Sequence, residues 1–186
     1  MLLSVDPGIR GCGVAAFALD SYPYGADSRD VGALVRAAYV ASPVTRGADV
    51  AACAAMARAV VGFLLDDNRS TWALAQWTHL ACEWPQVYTP GKQKGDPNDL
   101  LALVGVSAAV AALLPHAAIH TYLPAQWGGQ TPKEVKKQRV VSRLTSEEKA
   151  QIWLPATQSL QHNVFDAIGI GLHHTGRFER HRVLPR

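Results

Sequence analysis

Short apolar runs separated by Gly, Pro and acidic residues organise the chain. The run Leu2-Leu3-Ser4-Val5 ends in Asp6, and Pro7-Gly8 breaks it. A second run, Gly11 to Phe17, leaves the break. Apolar runs bounded in this way read as strands joined by a turn, so residues 2–18 are expected to form a hairpin. Leu34–Ala41 reads as a third strand, ended by Ser42-Pro43. Between Asp49 and Leu65 the apolar positions Val50, Cys53, Met56, Val60, Phe63 and Leu64 fall at helical spacing, and Asp66-Asp67-Asn68 closes that helix. Trp77–Cys82 is a fourth apolar run, ending in Glu83 and stopped by Pro85. Pro97-Asn98-Asp99 leads into an apolar helix, Leu100–Leu114, and Ala118–Tyr122 forms a fifth strand. Pro132 heads a basic helix, and Thr145-Ser146-Glu147-Glu148 has the capping-box pattern. A last helix spans Asn163–His174, ended by Gly176.

This order predicts a mixed α/β fold. A five-stranded sheet combines an antiparallel arrangement of strands 1–3 with parallel strands 1, 4 and 5, flanked by helices. Right-handed crossovers make strands 1, 4 and 5 neighbours, which brings Asp6 and Glu83 to one carboxyl edge. Ligand sites in open α/β sheets favour that edge. Gly11 and Gly13 allow close approach of the second strand, as a ligand or metal lying over the rim would need. An aspartate that merely caps the hairpin turn is the alternative for Asp6.

Asp166, in the last helix, is the third acid. Gly169 and Gly171 cost about 1 kcal/mol each in a helix relative to alanine. Close packing of this helix on the sheet accounts for them, and it holds Asp166 over the edge. His162 lies four residues earlier, which puts it on the same face if the helix begins early enough to include it. Asn163 as N-cap, with Asp166 favoured by the helix dipole, is compatible with this arrangement. Two carboxylates about 4 Å apart repel by about 4 kcal/mol at an effective dielectric near 20. Three at one edge therefore require cations or bound protons. An all-oxygen set with at most one imidazole suits Mg²⁺ or Mn²⁺ better than zinc. Two such ions sharing an aspartate activate water for phosphodiester hydrolysis.

Composition narrows the class. The 186 residues fit one domain, 1–176, with a basic and loose tail over 177–186. Hydrophobic residues make up 48% and charged residues 18%, which excludes a disordered chain. No apolar run spans a bilayer and no leader pattern opens the chain, so a soluble cytoplasmic protein is expected. Cys12, Cys53 and Cys82 have neither disulfide-framework nor zinc spacing and read as buried thiols. The net charge of +3 permits a polyanionic partner without requiring one.

Three stretches taken together resemble the RuvC-type Holliday-junction resolvases of the RNase H-like nuclease superfamily: Val5-Asp6-Pro7-Gly8-Ile9-Arg10-Gly11-Cys12-Gly13, Glu83 with Pro85-Gln86-Val87-Tyr88, and Asp166-Ala167-Ile168-Gly169-Ile170. The resemblance runs to about Leu172 and implies a metal-dependent endonuclease of DNA recombination and repair. Its metal-binding catalytic acids would be Asp6, Glu83 and Asp166, holding two Mg²⁺ ions with Mn²⁺ as substitute. The family carries a fourth acid or a histidine one turn before the last aspartate. Here Asn163 and His162 stand there, and His162 is taken as ligand or as proton donor to the leaving oxygen. The resemblance also implies a homodimer that nicks two strands of a four-way junction. The Leu100–Leu114 helix would meet the partner, although core burial explains its composition equally well. Trp84 and Tyr88 are candidates for stacking on bases, with packing under the loop as the other reading of Trp84. Lys92, Lys94, Lys133, Lys136, Lys137, Arg139 and Arg143 are candidates for phosphate contacts, the alternative being a solvated helix face.

Other readings keep the fold and change the chemistry. They are an RNase H-like nuclease acting on RNA–DNA hybrids or flaps, and a DNA-binding module without catalysis. An actin-like ATPase or sugar kinase needs a second lobe, which 186 residues hardly hold.

Overall fold

The computed structural model describes residues 1–19, 32–44, 49–65, 74–86, 97–129 and 131–178. Tyr88, Lys92, Lys94, residues 20–30, the helix stop expected at 66–68 and the tail from 179 onward lie outside the described residues.

Strands β1 (Leu2–Asp6), β2 (Gly11–Ala18), β3 (Ala33–Ala41), β4 (His79–Glu83), β5 (Ala118–Tyr122) and β6 (Ile152–Trp153) form one sheet in the order β5-β4-β1-β2-β3-β6. β1 pairs antiparallel with β2, and β2 with β3. β4 runs parallel to both β1 and β5. The expected mixed topology is therefore present. The strand count differs: β6 is a sixth strand, parallel to β3 with Ala37 opposite Ile152. Its two residues are too few to show a period-2 signal, and its attachment is the bond from Ala37 N–H to Gln151 O at 3.0 Å.

The period of two along the strands sorts the core into two layers. Leu3, Val5, Cys12, Val14, Leu80 and Cys82 face helices α1 (Val50–Leu65) and α2 (Pro97–Leu113). Leu2, Ala15, Phe17, Ala37 and Ala81 face α6 (Gln161–His174) on the other side. Asp6 has the parity of Leu2, and Glu83 that of Ala81. Both acids thus leave the sheet on the α6 side. Cys12, Cys53 and Cys82 are buried free thiols, as expected, and burial pushes Cys12 and Cys82 up to about 12.

The glycines set how close α6 comes. A Cβ on Gly169 would strike the Trp127 ring and one on Gly171 the Phe17 ring, so both are needed for the packing inferred for them. Ser4 adds a polar pin, its buried hydroxyl donating to Ala167 O at 2.8 Å. Gly13 was expected to admit a ligand. Instead a Cβ there would strike the backbone of Asn163 in the first turn of α6. Gly11 likewise makes room for the Tyr39 ring.

Three local expectations change. α6 starts at Gln161 behind a 3₁₀ turn, Gln158–Leu160, so Asn163 lies inside the helix and is not its N-cap. Leu160 occupies the cap position and offers no side-chain bond, the chain entering through Leu160 N–H to Thr157 O. Helix α2, whose nearly all-round apolar sequence implies burial on more than one side, is buried in this chain along one face, by Ala102, Val106 and Val110 against α1, while Leu101 stays 70% exposed. The start of the expected loose tail is anchored: Arg177 is paired with Glu148, and Phe178 is buried.

The short helices α3 (Pro124–Trp127), α4 (Lys133–Val141) and α5 (Ser146–Lys149) complete the α6 side. α5 carries the expected capping box, with Thr145 and Glu148 bonded reciprocally. Gly176 follows α6 with φ of 70°, the left-handed position expected past a helix end. No helix among the described residues is long and apolar enough to cross a membrane.

Candidate active site

Asp6 is the last residue of β1 and Glu83 the last of β4. Because Val5 pairs with Cys82, the two acids leave the sheet side by side. Asp166 lies in the second turn of α6, at the height fixed by Gly13 and Ser4. Charge repulsion links Asp6 to Glu83 and Asp166, and Glu83 to Asp166. Burial raises Asp6 well above the usual carboxylate range, and repulsion from Glu83 and then Asp166 raises it further. Glu83 is pushed up to about 7, by burial first and by Asp166 as well. Burial also raises Asp166, against the pull of Lys136, His162 and Lys133. Three half-buried carboxylates at one edge thus resist being ionised together.

Basic groups rim this edge. Lys136 and Lys133, from α4, oppose the rise at Asp6 and Asp166. Lys133 Nζ is 3.1 Å from His162 Nε2, and His162 itself is lowered by burial and by Lys133. His162 and Asp166 attract each other, so the expected spacing on one helix face is realised.

The other basic side chains lie further round α4. Lys137 sits over the Phe165 ring at 5.2 Å, and Arg139 over Phe178 at 5.1 Å. Arg143 follows the helix, its carbonyl accepting from Arg177 at 2.7 Å. Trp84 comes directly after Glu83 and is 39% exposed, its backbone N–H donating to Tyr122 O at 2.8 Å.

Sequence reasoning missed Trp127. Its indole Nε1–H donates to Glu83 Oε2 at 2.9 Å, and Lys136 Nζ stands 4.9 Å over the same ring. The ring is almost wholly buried, against Gly169. Gly169 was the available signal, since a helical glycine implies a bulky neighbour. Nothing in the sequence says which one.

The oxygen donors of Asp6, Glu83 and Asp166 suit a hard divalent cation such as Mg²⁺ or Mn²⁺. They are nevertheless spread more widely than a second group. Among the described residues, the three side chains whose ligand atoms all lie within 4.8 Å of one another are His79, His120 and His174. That group lies at the opposite end of β4 from Glu83. Burial and the neighbouring rings hold His174 down to about 4 and lower His79 as well.

No family model matches the sequence, and no curated protein does either. Solved structures do match the fold. Thermus thermophilus RuvC is similar at 17% identity and a TM-score of 0.54, covering 96% of this chain and 95% of that one. T. thermophilus RuvC in complex with Holliday junction substrate is similar at 18% identity and a TM-score of 0.56, covering 96% and 93%. The fowlpox virus Holliday junction resolvase is similar at 12% identity and a TM-score of 0.53, covering 94% and 96%. This chain therefore has the mixed α/β fold of the RuvC-type Holliday-junction resolvases, shared over nearly its whole length.

Proposed function

We propose that this protein is a structure-selective endonuclease that hydrolyses phosphodiester bonds in branched DNA, four-way junctions in particular. The observation that carries the reading is the convergence of Asp6, Glu83 and Asp166 on one sheet edge, each raised by burial. In that environment the ionised forms need a divalent cation beside them. The same three residues would hold two Mg²⁺ ions, with Mn²⁺ as substitute, which supply charge neutralisation and an activated water when bound.

The chain's own groups take the remaining roles. Trp127 fixes the Glu83 carboxylate by its hydrogen bond. His162, lowered below the usual imidazole value, is neutral near pH 7 and can pass a proton at the edge. Lys133 and Lys136 face the position a scissile phosphate would take. Lys137, Arg139 and Arg143 would extend that positive rim along the backbone path, and the exposed ring of Trp84 would stack on a base. Tyr88, Lys92 and Lys94 are assigned to DNA contact by sequence alone. The exposed Leu101 side of α2 supports a homodimer through that helix. The choice of substrate is supported by the T. thermophilus and fowlpox structures determined with Holliday junction DNA.

The test is cleavage of a four-way junction, both strands of each arm labelled, with and without Mg²⁺. Asp6→Asn should lower nicking by about a thousandfold or more while junction binding remains. Hybrid, flap and linear duplex substrates run in parallel separate this reading from an RNase H-like activity. Undiminished cleavage by pure Asp6→Asn protein overturns the assignment.

A further inference from the structure

The second cluster stands on its own and does not depend on the nuclease reading. His79 opens β4, His120 lies in the middle of β5 and His174 ends α6. Parallel pairing places His79 beside Ala118 and Ala81 beside His120, so both histidines share the α6 face. The last turn of α6 then brings His174 over them. Ring centroids are 5.5 Å apart for His79–His120, 5.3 Å for His79–His174 and 4.5 Å for His120–His174. One ligand atom from each ring lies within 4.8 Å of the other two.

We propose that His79, His120 and His174 form a three-imidazole site for a divalent transition-metal ion of the zinc class, about 13 Å along β4 from Glu83.

Three features support this beyond proximity. The first is that His79 Nδ1 and His120 Nε2 are buried ring nitrogens with no hydrogen-bond partner. A buried polar atom normally has a partner, and a coordinated ion provides one. The second is that His174 Nδ1 lies 2.8 Å from the Tyr122 hydroxyl. With Nδ1–H donating to that oxygen, the Nε2 lone pair is free for the ion, the orientation that outer-shell partners of ligating histidines impose. The third is donor chemistry. Imidazole nitrogen suits zinc, copper, nickel or cobalt and not magnesium, so the two clusters would hold different metals.

Three imidazoles leave one position of a tetrahedral ion to water. Zinc–imidazole bonds are about 2.1 Å, so small ring rotations close the cluster around an ion. Bound there, the ion would tie the edge strand β5 and its neighbour β4 to the end of α6.

The experiment uses the full chain stripped by chelator and titrated with zinc chloride by calorimetry. The expected result is one equivalent bound at micromolar dissociation constant or tighter. His120→Gln and His174→Gln should each weaken it about tenfold or more, whereas Asp6→Asn leaves it unchanged. Should those variants fold poorly, histidine-ring nitrogen spectra of the unsubstituted chain decide instead, zinc shifting three rings together. The proposal is overturned if no zinc binds, if binding survives both histidine changes, or if it is lost in Asp6→Asn. In any of those cases the three rings are a packing cluster.

Discussion

The indole of Trp127 donates to Glu83 Oε2 at 2.9 Å, from a ring that is itself held between Gly169 and the end of Lys136. A bond to the ionised carboxylate lowers its pKa, and it does so here against burial and against Asp166. Trp127→Phe keeps most of the packing and removes the donor. Hydrogen bonds to charged groups contribute about 1.5–3 kcal/mol, which corresponds to a rise of about one to two pKa units at Glu83. The acidic limb of the pH–rate profile for junction nicking should move upward by that amount. The rate deficit should be large at pH 7 and shrink toward pH 9. An unmoved profile would show that the bond does not set the protonation of Glu83.

Stability of the metal-free protein should fall as the pH is raised through the neutral range. The ordinary Glu value of 4.5 becomes about 7 at Glu83. Between those values the folded chain keeps a proton that the unfolded chain has lost, so each step upward in pH favours unfolding. The full effect is about 3 kcal/mol, and Asp6 and Asp166 act in the same direction. Calorimetric melting in chelator should show a falling Tm between pH 5 and 7, and Mg²⁺ or Asp6→Asn should flatten that slope.

Gly13→Ala should separate folding of the sheet from assembly of the acidic edge. The added methyl meets the Asn163 backbone and pushes the first turn of α6 outward, carrying His162 and Asp166 with it. Overpacking of this kind costs about 1–3 kcal/mol. Nicking should drop by more than tenfold in protein that remains folded at 25 °C and still binds junctions, as a gel-shift assay on the same preparation will show.

Arg177 holds the end of the described chain to the body. Its guanidinium donates to both Glu148 oxygens, to Gly32 O at 2.9 Å and to Arg143 O at 2.7 Å. Glu148 is buried, also accepts from Leu34 N–H at 2.7 Å, and is held below its usual value. Arg177→Met leaves that carboxylate without its charge partner, at a cost of about 3 kcal/mol in urea unfolding. Glu148→Gln combined with Arg177→Met should cost less than the two single changes added together. The pair contributes stability above the ordinary carboxylate pKa that is lost as the pH falls below it, opposite in sense to Glu83.

The acidic edge was legible because Asp6 and Glu83 each end a strand, and strand parity then decides which face they take. Gly169 and Gly171 announced a tightly packed helix for a similar reason: only a close neighbour justifies glycine there. Other features left no local trace. β6 is two residues long and depends on a pairing more than a hundred residues away in sequence. The start of α6 is set by a 3₁₀ turn without a polar cap, so the Asn163 cap signal pointed three residues too late. Trp127, Arg177 and the three histidines are single residues whose meaning lies entirely in what the fold places opposite them.

Asp166 and His174 are eight residues apart on α6, about 12 Å along one helical rod. A rod shifts as a whole, so a change that tilts it for the benefit of one end disturbs the other. Ser4, Gly13, Gly169 and Gly171, which seat the rod, therefore have little freedom to vary. Adaptation of the acidic edge has to come from the parts that pack against α6, above all the α4 surface.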